Sequence, residues 1–128
     1  MARATGLGGV FLRARDPNVL TNWYAEHLGL PVTDWGGVVF VWDECAAPEG
    51  HGTTVWSLFP AGTDYFGDTG QAMMLNFRVD DLEGLLEQLR AKGVWVDPKQ
   101  AEEANGRFAW IRDGEGNRVE LWEPKAAG

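Results

Sequence analysis

Residues 116–124 read GNRVELWEP, and Glu120 stands in that run between Val119 and Leu121. In an alternating strand Glu120 shares a face with Trp122, while Val119 and Leu121 point the other way. A carboxylate beside an indole on a half-buried face can do three kinds of chemistry. It can hold a divalent cation. It can move a proton near neutral pH once burial has raised its pKa. It can also neutralise an arginine, with Arg13 and Arg78 the candidates. Further groups with chemical capacity cluster in residues 43–52 (DECAAPEGHG), namely Asp43, Glu44, Cys45, Glu49 and His51. These are expected to form a solvated acidic loop. Cys45 is expected to be a bystander thiol, because no His lies at a spacing that would activate it. His27 falls late in a helix-like segment, where it packs or favours the helix C-terminus.

The elements that must position Glu120 emerge from an internal repeat. Residues 10–29 (VFLRARDPNVLTNWYAEHLG) and 75–93 (LNFRVDDLEGLLEQLRAKG) each read as a short apolar strand, an acidic residue and a helix ending at Gly. Asp16 is a good N-cap and Pro17 suits the first helical position, and Asp81 repeats the cap. Leu20, Trp23, Tyr24 and Leu28 recur at helical spacing, as do Leu82, Leu85, Leu86 and Leu89. Gly29 and Gly93 are natural stops. Three strand-like runs follow each helix, at 30–33, 38–42 and 53–59 in the first half and 94–96, 107–112 and 117–122 in the second. Residues 113–116 (DGEG) make a strong turn between the last two. Each half is therefore predicted to be β-α-β-β-β, giving an α+β fold in one domain over 1–128. Its first module spans about 6–60, its linker about 61–70 and its second module about 71–124.

The totals limit the function classes. The chain of 128 residues is 45% hydrophobic and 23% charged, enough to bury a real core. A net charge of −8 disfavours nucleic acid, whose phosphates attract basic patches. One Cys cannot form an internal disulfide, which makes a cytoplasmic protein the default. No apolar run of about 18 residues is present, so no membrane span is expected, and residues 1–6 (MARATG) lack the apolar core of a secretory signal. Seven Trp imply a core or pocket rich in indole.

The sequence resembles the vicinal oxygen chelate superfamily, which includes glyoxalase I, extradiol dioxygenases, and fosfomycin- and bleomycin-resistance proteins. The likeness rests on residues 10–17 (VFLRARDP), 23–31 (WYAEHLGLP), 76–82 (NFRVDDL) and above all 106–124 (GRFAWIRDGEGNRVELWEP). It implies two βαβββ modules whose curved mixed sheets form a cleft, with metal ligands at four corners in metal-dependent members. Carried over, the corners fall on Gly9, Trp56, Met74 and Glu120, the Trp56 assignment following the offset between the helix ends. Only Glu120 among them can bind a hard or borderline divalent cation. A catalytic zinc site typically has three protein ligands, so no cofactor is expected and a divalent metal is disfavoured.

Strand alternation then fills the cleft. Phe11 and Arg13 share a face with Gly9, Asn76 and Arg78 share one with Met74, Leu58 accompanies Trp56, and Trp122 accompanies Glu120. The opposite faces carry Val10, Leu12 and Ala14, and Leu75, Phe77 and Val79, all apolar and suited to packing under helices. Trp23 and Trp95 are assigned to the core or an interface. Trp35, Trp42 and Trp110 fit either side, and Phe59, Tyr65 and Phe66 form a rim or cover the module junction. The expected function is that of a glyoxalase/bleomycin-resistance-like protein. It binds a small aromatic or cationic molecule in a Trp-lined cleft. The alternatives are a lyase- or isomerase-type enzyme using Glu120 as acid–base residue, and a metal-dependent lyase or dioxygenase. The resemblance also implies a homodimer.

Overall fold

The computed structural model describes residues 2–42 and 52–125. The loop group Asp43, Glu44, Cys45, Glu49 and His51 therefore lies outside the described residues. The elements run β1 (Ala4–Ala14), α1 (Pro17–Leu28), β2 (Val38–Val41), β3 (Thr53–Pro60), β4 (Met73–Val79), α2 (Leu82–Ala91), β5 (Val96–Glu103), β6 (Gly106–Arg112) and β7 (Arg118–Pro124).

Local chemistry sets the helix limits. Asp16 accepts the amide of Val19 and Asp81 that of Gly84, so each helix begins on a carboxylate that satisfies an otherwise orphaned N–H. Gly29 closes α1 with φ 67°, a left-handed conformation that glycine adopts without steric cost. The turn at 113–116 forms as its sequence demands. Asp113 Oδ1 accepts the amides of Glu115 and Asn117, and the amide of Gly116 bonds the carbonyl of Asp113.

The seven strands form one open mixed sheet in the order β2-β3-β1-β4-β7-β6-β5. The first strands of the two halves, β1 and β4, pair antiparallel at the centre. Each is flanked by the last strand of its own half in parallel, β3 beside β1 and β7 beside β4. One face carries the helices. There Leu82 and Leu86 of α2 pack on Val79, Ala109, Val119 and Leu121, with Phe77 beside them. The other face carries a second cluster of Phe11, Phe66, Met74 and Trp110. Glu120 thus lies on the face opposite Val119 and Leu121, as alternation required.

Two expected strands differ. Residues 30–33 make no ladder: Pro31 has no N–H to give, and Thr33 turns back through its amide and hydroxyl to the carbonyl of Gly37. The first half therefore contributes three strands among its described residues. In the second half only Val96 of the run 94–96 is in the strand, which continues through the polar stretch to Glu103. That strand forms the sheet edge, where Pro98 and charged residues are tolerated. On α1 only Thr21 is buried, while Trp23 and Leu28 are exposed. The helical spacing was right, but half of its apolar stripe faces outward.

The two helices therefore differ in how much packing they hold. Leu86→Ala is expected to cost about 2–5 kcal/mol, as a large-to-small change in a close-packed core does. Val19→Ala, at a side chain 64% exposed, should stay within about 0.5 kcal/mol. Urea denaturation of both variants checks the contrast.

Candidate functional site

Three neighbouring strands converge on Glu120. In β7 it pairs in parallel register with Asn76 of β4 and in antiparallel register with Trp110 of β6. Residues in register point to the same face, so these three side chains meet there. Tyr65, from the segment between β3 and β4, closes over them. The carboxylate is 1% exposed and accepts three hydrogen bonds. Asn76 Nδ2 donates to Oε1 at 2.6 Å and Trp110 Nε1 to Oε2 at 2.9 Å, and the Tyr65 hydroxyl also donates to Oε2.

All three donors are neutral. No lysine or arginine nitrogen lies within ion-pair distance of Glu120 among the described residues, so the expected pair with Arg13 or Arg78 does not form. Burial pushes the Glu120 carboxyl above its ordinary range. Its three hydrogen bonds, with the more distant charge of Arg118, pull it part of the way back. The Tyr65 hydroxyl is pushed far up, first by burial and then by the Glu120 charge, and it stays protonated as a donor.

Beside this group lies a cavity of about 450 Å³, within the size range of small-molecule sites. Phe11, Val55, Phe108 and Trp122 supply much of its apolar wall, and Tyr65, Asn76 and Glu120 its polar floor. Phe108 and Trp122 stack in parallel with centroids 6.0 Å apart. Gly8 borders the same space, and a Cβ there would lie 2.2 Å from Asn76 Oδ1, so glycine leaves room for the amide. That oxygen has no hydrogen-bond partner among the described residues.

Of the residues predicted from sequence, Phe11, Asn76, Glu120 and Trp122 come together around the cavity. Met74 lies fully buried in the cluster beneath it. Arg78 lies over the cavity-lining Trp122, its guanidinium 5.0 Å from that ring centre and 5.5 Å from that of Trp42. Arg13 is occupied elsewhere. It donates to the carbonyls of Gln71, Ala61 and Thr63 and lies over Phe66, tying down the segment that carries Tyr65.

Trp56 and Leu58 are corrected. Trp56 points to the helix face, where its ring meets Tyr24 of α1 edge-on at 4.9 Å, and alternation carries Leu58 with it. Thr53 and Val55 take the cleft side. The helix-end offset placed Trp56 opposite Glu120, but the helix-start offset, from Asp16 to Asp81, is one residue longer and selects Val55. In a strand, one residue changes the face.

Sequence reading assigned no site role to Phe108 or Val55 and placed Tyr65 only at a rim or junction. Alternation back from Trp110 was the available signal for Phe108. Tyr65 carried none, since its position depends on the path of a turn-rich segment. Trp110 faces the site and Trp35 lines the cavity.

The corners suit a divalent cation poorly. Gly9, Val55 and Met74 offer no hard ligand, and the Glu120 oxygens are directed at N–H and O–H donors. No group of three or more His, Cys, Asp or Glu able to hold an ion occurs among the described residues. Nor is any helix long and apolar enough to cross a membrane.

This architecture, two α/β halves paired through their first strands around a concave face, defines the class. The chain belongs to the Glyoxalase/Bleomycin resistance protein/Dioxygenase superfamily, whose signature matches residues 6–121. Among solved structures it is similar to the methylmalonyl-CoA epimerase of Mycobacterium tuberculosis, with 24% identity and a TM-score of 0.64, covering 95% of this chain and 89% of that one. It is also similar to a variant of the Streptomyces coelicolor methylmalonyl-CoA epimerase in complex with 2-nitronate-propionyl-CoA. That match has 15% identity and a TM-score of 0.71 over 98% of each chain. A hypothetical protein from Bacillus halodurans C-125 matches at 12% identity and a TM-score of 0.63, covering 99% of this chain and 97% of that one. At these identities the likeness is one of fold. No curated protein matches the chain.

The Glu120 shift has a definite sign. Its folded pKa lies above the unfolded one, so between the two the native state holds the extra proton and stability falls as pH rises. Stability of the parent relative to Glu120→Gln should therefore increase as pH is lowered from neutrality toward the ordinary value of 4.5. Urea midpoints of both proteins across that interval test this; a difference that stays flat or runs the other way removes the buried-charge account.

Proposed function

We propose that the protein binds a small, flat, largely apolar molecule in the cavity beside Glu120, without a divalent metal at the four corner positions. The observation that carries this reading is the juxtaposition of aromatic walls with one compact polar floor. Stacked Phe108 and Trp122 present a π-surface suited to a planar guest. The polar floor of Tyr65, Asn76 and Glu120 adjoins this surface, and Glu120 already accepts three bonds. Those same bonds weaken the case for a cationic guest held by Glu120.

A second reading has its own support. A buried carboxyl with a raised pKa, bordering a cavity, is suited to moving a proton on a bound carbonyl compound. In that case Glu120→Gln loses turnover and keeps binding, whereas a binding protein shows no turnover in the parent. A homodimer and a cytoplasmic location complete the proposal. The exposed Val19, Trp23 and Leu28 along α1 support the first, and the single cysteine supports the second.

Titration calorimetry with a neutral bicyclic probe, naphthalene-2-carboxamide, tests the cavity. Saturable binding is expected, unchanged after EDTA treatment, and weakened at least about ten-fold in Val55→Trp, whose indole fills the space. Loss of binding with EDTA, or full binding by the Val55→Trp variant, would count against the reading.

A further inference from the structure

Arg78 is the charged group at this site that neither the Glu120 network nor the aromatic wall accounts for. It is half-buried, and burial pushes its guanidinium below the ordinary value with no carboxylate pulling the other way. The other arginines of this face are committed. Arg118 pairs with Asp97 at 3.0 Å, Arg112 with Asp68 at 3.0 Å, and Arg13 gives its hydrogens to three carbonyls. Arg78 has one long hydrogen bond, 3.5 Å to Thr53 Oγ1, and lies over the rings of Trp42 and Trp122. No carboxylate among the described residues lies within ion-pair distance of this partly desolvated guanidinium.

Its surroundings belong to the cavity. Thr53, Trp122 and Gly8 all border that space, and a Cβ on Gly8 would come within 3.0 Å of Arg78 Cγ. Contacts with ring faces use none of the N–H groups, so among the described residues most of the planar donor fork stays uncommitted. Such a fork matches the two oxygens of a carboxylate.

We propose that Arg78 receives the carboxylate of a small organic acid whose flat apolar body occupies the cavity; this rests on the cavity-binding reading above and names its ligand class. The floor carboxylate does not forbid it. Asn76 is in register with Glu120 and Arg78 with Trp122, which roots the guanidinium about 7 Å further along the strands. Three donors already hold the Glu120 oxygens. The net charge of −8 acts weakly at the site, because exposed charges beyond about 8 Å are largely screened at physiological ionic strength. Arg78 thus stands beside the Trp122 and Thr53 side of the cavity, apart from the Glu120 floor.

The test pairs two probes of nearly equal shape, naphthalene-2-carboxylate and naphthalene-2-carboxamide, by titration calorimetry. In the parent the acid should bind about ten-fold tighter or more, the size of effect expected for hydrogen bonds to a charged group. Arg78→Met keeps the apolar stem over the indoles, so amide affinity should be unchanged while the preference for the acid disappears. Equal affinity of the two probes in the parent, or a preference surviving in Arg78→Met, overturns the assignment of Arg78 and leaves the cavity reading standing. Absence of binding by both probes in the parent overturns the two together.

Discussion

A single carboxylate withdrawn from water constrains the whole concave face. Leaving Glu120 dry without partners would cost several kcal/mol, so the fold must bring hydrogen-bond donors to it. It brings one from each adjoining strand, Asn76 and Trp110, and one from the segment between the halves, Tyr65. That last bond has the longest reach. It requires the 61–70 segment to cross above β7, and this explains why Arg13 spends its donors on the carbonyls of Ala61, Thr63 and Gln71. Phe66, fully buried beside Tyr65, anchors the same segment in the apolar cluster. The polar floor and the packing around it are one structure.

The central pairing of β1 with β4 gives that floor its position. Because β7 lies parallel beside β4 and β3 parallel beside β1, each half offers the first part of its last strand to the middle of this face. In one half this place holds Glu120. In the other it holds Val55, with Thr53 two residues before. The halves repeat in backbone but not in chemistry at this position.

Much of this was legible in the sequence. Helix caps, glycine stops and the 113–116 turn depend on one or two residues each, and local chemistry decides them. The face assignments of β1, β4 and β7 were also readable, because each strand adjoins a helix cap or a strong turn that fixes its count. Trp56 was misplaced for the opposite reason. A long loop precedes β3, and the repeat offset changes by one residue along the helix, so parity could not be carried across. Tyr65 was beyond reach in a different way: its role depends on a long-range hydrogen bond to a residue 55 positions away, which no local pattern encodes. Strand β5 was underread because its polar, Pro-containing sequence suits only an edge, and edges are defined by the finished sheet.

The same asymmetry bears on how this chain relates to its superfamily. Four corners that can all ligate would make a site centred on an ion, with the guest arranged around it. Here the corners are Gly9, Val55, Met74 and Glu120, and the last is turned inward to three donors. Removing ligands from three corners leaves apolar volume, and volume beside stacked rings selects a guest by shape and area. Charge selection then has to come from somewhere else on the same face. Beside the cavity-lining Trp122 stands the guanidinium of Arg78, held on indole faces. A guest in such a site would be met by ring faces and one guanidinium rather than by a coordinated ion.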